Sequence, residues 1–302
     1  MPHFVDQLLD AVERKGGPVC VGIDPVYDRL PPAPGSKEDN HEAQVDAIFD
    51  FVHKVLEVVA PHVPVVKFQL ACFERYGPDG LSIYHSLVQE ARDRGLLVIG
   101  DAKRGDIGAT AEHYAAATLL EPLGGDEGDW AAADAVTVNS YFGRDGLTPF
   151  LNVAAAHGKG VFALVRTSNP GGDAIQSLKL ADGRTVAEAV AGLMAEIGGE
   201  AKYTGERGYS LLGAVVGATK PGDAARLRQL MPQQLFLVPG FGAQGGGADD
   251  VRACFKPDGT GALITASRSI TYAFEKADGD WQTAIELATL QMKRELAAIL
   301  AG

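Results

Sequence analysis

Cysteine is scarce in this sequence of 302 residues. Its three cysteines, Cys20, Cys72 and Cys254, lie far apart and form no CxxC pair, a pattern that indicates a reducing compartment rather than a disulfide scaffold. No apolar run approaches the roughly 18 residues that a membrane span requires, and the N-terminal segment lacks the basic and apolar regions of a secretory signal. We therefore expect a cytoplasmic protein without a membrane partner.

Positive charge is also in short supply, with 27 lysines and arginines against 39 aspartates and glutamates and a net charge of −12. This balance argues against a nucleic-acid-binding surface, although it permits a small basic pocket for one phosphate. The seven histidines show no HExxH or HxH spacing, and Walker A and GxSxG motifs are missing. We expect a protein that uses no metal and no cofactor.

Short apolar segments alternate with longer amphipathic ones along the whole chain. Continuous apolar strands separated by helices predict a parallel sheet that is buried on both faces. Eight such units fit an α/β fold of the (β/α)8 TIM-barrel type, with residues 1–302 as a single domain; an open, doubly wound sheet is the alternative. The candidate strands are Val19–Asp24, Val65–Gln69, Leu97–Asp101, Ala135–Asn139, Gly160–Arg166, Leu211–Ala218, Leu235–Pro239 and Gly261–Ala266.

Charged residues recur where the predicted strands end, which is where α/β barrels carry their chemistry. Asp24 ends the first strand, Lys67 lies near the end of the second, and Asp101, Lys103 and Asp106 follow the third. Residues two apart on a strand point to the same side, so Asp101 and Lys103 should face each other. A lysine between carboxylates stays protonated and can act as a proton donor. Ordinary salt bridges between loops are the alternative interpretation.

A second pattern predicts a phosphate site. The segment from Pro239 to Gly247 is rich in glycine and follows the seventh strand, and Arg268 follows the eighth. Barrels often bind phosphate with these two loops, where glycine backbone amides and an arginine fork can meet the anion. A flexible turn with a surface arginine is one alternative. The spacing Gly240-x-Gly242-x-x-Gly245 also fits a dinucleotide fingerprint, but it lacks the expected βαβ context.

The segment D-A-K-R-G-D-I-G-A-T, residues 101–110, resembles the D-x-K-x-x-D-I-x-x-T signature of orotidine 5′-phosphate decarboxylases. The resemblance continues in order through V-G-I-D-P, V-K-F-Q, R-T-S-N-P-G, V-V-G-A-T, V-P-G-F-G-A-Q-G-G and S-R-S-I. The length and two of these strings are similar to the longer bacterial subgroup, type 2. The resemblance implies a barrel enzyme that converts orotidine 5′-phosphate to uridine monophosphate (UMP) and CO2 without a cofactor, in the last step of UMP biosynthesis.

The resemblance also implies a role for each matching residue. Lys103 would protonate C6 of the substrate and Asp101 would repel its carboxylate, while Asp24 and Lys67 would hold the ribose. The family forms a homodimer with shared active sites, so Asp106, Ile107 and Thr110 would serve the site of the partner chain. The remaining substrate-binding residues are Ser168 or its neighbour Thr167 for the pyrimidine, and Pro239, Gln244 and Arg268 around the phosphate.

Two other functions remain open at this point. A sugar-phosphate decarboxylase or lyase of the same superfamily would share the D-x-K-x-x-D pattern but would use magnesium. A non-catalytic sensor of nucleotide phosphates would keep Gln244 and Arg268 without needing the charged residues of the signature. One position departs from many family members: Ser267 stands where they have glycine before the phosphate-binding arginine, and its hydroxyl could crowd the anion or donate to it.

Overall fold

A computed structural model of the chain describes residues 3–31, 40–121, 131–218, 221–241 and 248–301. Within these ranges, eight parallel strands form a closed barrel in the order β1 to β8. β1 pairs with β8 as well as with β2, which excludes the open sheet and confirms the predicted TIM barrel. The strands are β1 (Val19–Ile23), β2 (Val65–Gln69), β3 (Leu97–Arg104), β4 (Ala135–Val138), β5 (Gly160–Arg166), β6 (Ser210–Val216), β7 (Gln234–Pro239) and β8 (Ala262–Ala266).

Helices follow the strands and pack around the barrel. They are α1 (Phe4–Lys15), α2 (His41–Val59), α3 (Ala71–Glu74), α4 (Gly77–Asp93), α5 (Gly108–Leu119), α6 (Gly143–His157), α7 (Asp173–Gln176), α8 (Val186–Gly198), α9 (Pro221–Leu230), α10 (Ala248–Arg252), α11 (Arg268–Thr271) and α12 (Trp281–Ala301). None of the helices in the described part of the chain is long and apolar enough to cross a membrane.

Every second residue of a strand points inward, so the inward side chains stack in layers inside the barrel. Two of these layers determine where the site lies. The layer toward the N-terminal ends of the strands is apolar and includes Val65, Ile99, Ala135, Phe162 and Leu263, all buried in one cluster. Two residues further along the same strands, the inward positions are Lys67, Asp101, Thr137, Leu164 and Thr265. The polar residues therefore meet above an apolar floor, at the carboxyl ends of the strands.

Helix α1 closes the opposite end of the barrel. Phe4, Val5 and Leu8 from its buried face belong to the same cluster as the apolar layer, and the ring of Phe4 meets that of Phe162 edge-on with centroids 6.3 Å apart. Gly160 leaves room for this contact, since a Cβ there would lie 2.2 Å from the Phe4 ring. Packing of α1 against the barrel removes apolar surface from water and leaves the carboxyl end as the open end of the barrel.

Candidate active site

An open cleft of about 540 Å³ lies at the carboxyl ends of the barrel strands. Its walls include residues from β2 to β8 and from the segments that follow β1, β5, β7 and β8. The lining residues include thirteen that were predicted from the sequence or that make the contacts described below: Asp24, Lys67, Gln69, Asp101, Lys103, Thr137, Thr167, Ser168, Pro239, Gly240, Thr265, Ser267 and Arg268. The volume suits a small organic molecule.

Four residues form a line of alternating charge across this cleft, which we call the charged row: Lys103, Asp101, Lys67 and Asp24. The Nζ of Lys103 lies 2.6 Å from Oδ1 of Asp101. The Nζ of Lys67 lies 2.6 Å from Oδ2 of Asp101 and 3.9 Å from Oδ1 of Asp24. Three strand ends thus bring together the two lysines and two of the aspartates that the sequence predicted to interact.

Asp101 and Lys67, the two buried members of the charged row, stabilise each other's charge. Burial alone would raise the pKa of Asp101, but the ammonium groups of Lys67 and Lys103 outweigh it and lower that pKa to about 2. Burial opposes the charged form of Lys67, yet the carboxylates of Asp101 and Asp24 raise its pKa above the ordinary value. Both residues therefore remain ionised at neutral pH, as the alternation of charge requires.

Two neutral residues that the sequence analysis did not select complete the environment of Asp101. Gln69 donates from Nε2 to Oδ2 at 3.3 Å, and Thr137 donates from its hydroxyl to Oδ1 at 2.8 Å. Both occupy inward positions, two residues after Lys67 on β2 and two residues after Ala135 on β4. The alternation of inward and outward residues could have identified them, since it applies to every strand of the barrel.

The backbone of Lys103 differs from the regular strand on which the prediction relied. Lys103 has φ of +48°, a left-handed conformation that no other non-glycine residue adopts in the described ranges. The pairing of β3 with β4 moves from Gly100 opposite Val136 to Arg104 opposite Val138, so β3 contains two extra residues. Asp101 and Lys103 do meet, but through this bulge rather than through a straight strand.

Two buried oxygen atoms in the cleft have no hydrogen-bond partner among the described residues. They are Oδ1 of Asp24 and Oγ1 of Thr265. A buried acceptor without a donor is costly, and both residues line the cleft. The carboxylate of Asp24 is thus placed to accept a hydrogen bond from a hydroxyl group of a bound ligand.

The predicted pyrimidine-binding and phosphate-binding residues lie on the same cleft as the charged row. Thr167, Ser168, Pro239 and Arg268 all line it. The backbone of Ser168 passes so close to Gly217, after β6, that a Cβ on this glycine would lie 2.8 Å from it. Gln244 lies outside the described residues, as does most of the glycine-rich segment.

Arg166 at the end of β5 holds the loop that carries Ser168. Its guanidinium is buried and donates from Nε to Asp223 Oδ2 at 2.9 Å and from Nη1 to Gln176 Oε1 at 3.1 Å. It also forms an ion pair with Asp173. Gln176 in turn donates to the Thr167 hydroxyl and accepts from the Thr167 amide. One buried arginine therefore ties the loop after β5 to the start of α9.

Asp106, Ile107 and Thr110 are not among the residues that line the cleft of their own chain. They lie at the turn before α5 and in its first residues, where Asp106 accepts from the backbone amide of Ile107 at 2.8 Å. The side chain of Ile107 is 53% exposed, and Tyr141 and Phe142 after β4 are also exposed. Apolar residues that are exposed next to an active-site cleft are typical of a surface that meets another protein.

The Ser267 side chain packs against β1. A Cβ placed on Gly22 would lie 1.9 Å from the hydroxyl oxygen of Ser267 and 2.8 Å from its Cβ. Gly22 occupies an inward position two residues before Asp24, so the serine fills space in the barrel that a side chain on β1 would otherwise take. The Ser267 side chain therefore fits here because Gly22 has no side chain.

Comparison with known proteins assigns the chain to a family. Residues 17–278 match the model of the Orotidine 5′-phosphate decarboxylase / HUMPS family. An orotidine 5′-phosphate decarboxylase from Rhodopirellula baltica is 42% identical over 307 aligned residues, which cover 98% of this chain and 99% of that protein. Another from Clostridium novyi is 37% identical over 299 aligned residues, with 98% and 99% coverage.

Solved structures agree with these sequences. A Streptomyces avermitilis protein assigned as an orotidine 5′-phosphate decarboxylase superimposes with a TM-score of 0.82 at 33% identity, covering 100% of this chain and 97% of that one. The Leishmania donovani orotidine monophosphate (OMP) decarboxylase gives a TM-score of 0.75 at 30% identity, with 99% and 100% coverage. Sequence, fold and the charged row lead to one assignment: the chain belongs to the orotidine 5′-phosphate decarboxylase family.

Proposed function

We propose that this protein decarboxylates orotidine 5′-phosphate to UMP and CO2, the last step of UMP biosynthesis. The observation that carries the proposal is the charged row in a barrel-end cleft, where Lys103 and Asp101 make a contact of 2.6 Å. The proteins from Rhodopirellula baltica and Clostridium novyi, which match nearly the whole chain, carry this activity in their names.

The substrate would bind along the charged row. Asp24 and Lys67 bind the ribose hydroxyls, because Asp24 offers a buried oxygen atom that lacks a donor. Ser168, or Thr167 beside it, meets the pyrimidine from the loop after β5. Arg268, which follows β8, binds the phosphate together with Pro239 and Gln244 from the segment after β7. Binding the phosphate and ribose far from the reacting carbon supplies energy to hold an unfavourable carboxylate contact at C6.

The reaction breaks the bond between C6 and the carboxylate carbon and leaves the electron pair on C6 as CO2 departs. The ammonium of Lys103 stabilises this developing charge and then transfers a proton from Nζ to C6. Asp101 lies beside the departing carboxylate, and two like charges about 4 Å apart repel by roughly 4 kcal/mol at an effective dielectric near 20. That repulsion ends when CO2 leaves.

The active form in this proposal is a homodimer with shared sites. Asp106, Ile107 and Thr110 do not line the cleft of their own chain, and the surface around them is exposed and apolar. Pairing this surface with its copy about a two-fold axis would bring each set to the site of the partner. Asp106 would then add a second carboxylate beside Lys103, next to Asp101.

The remaining predictions belong to the same proposal. We place the enzyme in the cytoplasm, since all three cysteines are free thiols, and we expect residues 1–302 to act as one domain. The net charge of −12 favours a small-molecule substrate over nucleic acid as the partner.

The direct test is the loss of orotidine 5′-phosphate absorbance on addition of the purified protein, before and after exhaustive chelation. We expect turnover in both conditions. No turnover of orotidine 5′-phosphate, together with turnover of a sugar phosphate that disappears on chelation and returns with magnesium, would favour a sugar-phosphate enzyme. Tight binding of UMP without turnover would favour a sensor.

Shared sites are tested with two inactive variants, Lys103→Ala and Asp106→Ala. Co-expression should produce hybrid dimers in which one site carries both defects and the other carries neither. Random assortment makes about half of the dimers hybrid, and one of the two sites in each hybrid is intact. Roughly one quarter of all sites, and therefore of the wild-type activity, should return. Each variant purified alone is the control. No recovery in hybrids that mass spectrometry confirms would place Lys103 and Asp106 in the site of one chain.

A further inference from the structure

The hydroxyl of Thr137 makes two hydrogen bonds that together span the reactive segment. Thr137 lies on β4 and is 1% exposed. Its oxygen accepts from the backbone amide of Lys103 at 3.0 Å and donates to Oδ1 of Asp101 at 2.8 Å. The direction is fixed by chemistry, because an amide N–H can only donate and the hydroxyl has one proton, which must go to the carboxylate.

The amide that Thr137 binds belongs to the strained residue of the site. Lys103 adopts φ of +48° within a bulge of two extra residues. A non-glycine residue in this region costs on the order of 1–3 kcal/mol and persists only where its surroundings hold it. On the far side of the bulge, Arg104 forms an ion pair with Glu74 of α3, and its carbonyl accepts from the amide of Asn139 at 2.7 Å. Thr137 supplies the corresponding contact at Lys103 itself.

The second contact of Thr137 completes the coordination of Asp101. Oδ1 accepts from Thr137 and Lys103, and Oδ2 accepts from Lys67 and Gln69. A carboxylate with two donors on each oxygen has little freedom to rotate. Loss of the threonine hydroxyl would remove one of these donors and would leave the Lys103 amide without this acceptor, so both members of the contact between Lys103 and Asp101 would be less fixed.

We propose that Thr137 is a positioning residue for decarboxylation, whose hydroxyl fixes the strained backbone of Lys103 and the carboxylate of Asp101 in the orientation that the reaction uses. This inference rests on the proposed function. It assigns Thr137 no contact with the substrate: the residue acts through the two groups that it binds. A small misplacement of a reacting group lowers the rate of the chemical step more than it weakens binding, so the effect should appear in kcat rather than in KM.

The test compares Thr137→Val, which removes the hydroxyl at constant shape, with Thr137→Ser, which keeps it. We expect the valine variant to lose about 10- to 100-fold in kcat, the range for one hydrogen bond to a charged group, with KM for orotidine 5′-phosphate and affinity for UMP changed less than about threefold. The serine variant should stay within about threefold of wild type in kcat. Thr289→Val is the matched control, because Thr289 is equally buried but lies on α12, where its hydroxyl donates to the carbonyl of Ile285 in the same helix.

Each result decides the matter. A valine variant that folds and keeps its kcat would overturn the inference, as would a serine variant as slow as the valine variant, since the methyl group would then be responsible. If the valine variant does not fold, Thr137→Ala and Thr137→Ser isolate the hydroxyl, and equal kcat for this pair would overturn the inference. Absence of turnover in the wild-type enzyme would instead refute the proposed function.

Discussion

The contact between Gly22 and Ser267 predicts that a single methyl group on β1 will weaken phosphate binding. A Cβ on Gly22 would lie 1.9 Å from Oγ and 2.8 Å from Cβ of Ser267. Rotation can move the hydroxyl away, but the Cβ contact remains, so the backbone of Ser267 must shift. Overpacking of this kind costs about 1–3 kcal/mol. Arg268 is the next residue, so the shift should move its guanidinium as well.

If the full cost appears in binding, Gly22→Ala should raise KM for orotidine 5′-phosphate by about 5- to 150-fold. The effect on orotidine, which lacks the phosphate, should be smaller. Ser267→Gly removes the obstructing side chain, so adding it to Gly22→Ala should restore most of the lost kcat/KM, with a coupling energy of at least about 1 kcal/mol in the double-mutant cycle. Gly17→Ala is the control, because a Cβ at Gly17 meets nothing within 4 Å.

Additive effects of the two substitutions would refute this reasoning, because the contact would then contribute nothing to the loss. An equal loss for orotidine 5′-phosphate and orotidine would show that the displaced residue does not act through the phosphate. Kinetics should be accompanied by urea unfolding, since a variant that loses stability but keeps KM would place the cost in folding.

Two further predictions concern stability. Arg228 is buried and donates to the backbone carbonyls of Met231, Gln234, Cys254 and Gly261. Arg228→Met leaves these carbonyls without that donor, at roughly 1–3 kcal/mol for each unsatisfied group, so it should lower the free energy of unfolding by more than about 3 kcal/mol. In urea unfolding the exposed neighbour variant Arg226→Met should cost less than about 1 kcal/mol, and equal costs for the two variants would contradict this role of Arg228. The pKa of Asp101 is lowered from 3.8 to about 2, which corresponds to about 2 kcal/mol of stability at 1.36 kcal/mol per unit. This stabilisation is complete above about pH 4 and lost as the pH falls to about 2. The difference in free energy of unfolding between wild type and Asp101→Asn should therefore shrink across that window. A difference that stays constant with pH would contradict this assignment.

The strands and three members of the charged row, Asp24, Lys67 and Asp101, could be predicted from the sequence because they follow simple periodicity. Inward positions alternate along a strand, so Lys67 and Asp101 had to lie in the same layer once the barrel was assumed. The same rule applies to Thr137 and Thr265, two residues after the apolar inward positions Ala135 and Leu263. Spacing alone does not single them out, because a lone threonine in a strand usually serves as a β-forming residue.

Other features could not be read from local patterns. Glycine is the residue best suited to a left-handed conformation, yet the positive φ belongs to Lys103 and not to Gly105, at the point where the pairing of β3 with β4 changes register. The acidic partners of Arg166 are Asp173 and Asp223, at the starts of the separate helices α7 and α9. Contacts set by tertiary structure in this way leave no signal in residue spacing.

The coordination of Asp101 bears on how the proposed mechanism uses charge repulsion. A carboxylate facing that of the substrate could escape the repulsion by taking up a proton. With a pKa of about 2, protonating Asp101 at pH 7 costs about 7 kcal/mol at 1.36 kcal/mol per unit, more than the roughly 4 kcal/mol of repulsion at 4 Å. Rotation is equally restricted, because donors occupy both oxygens. The lysines that neutralise Asp101 therefore also keep it charged when the substrate binds, and the departure of CO2 relieves a repulsion that protonation of Asp101 cannot.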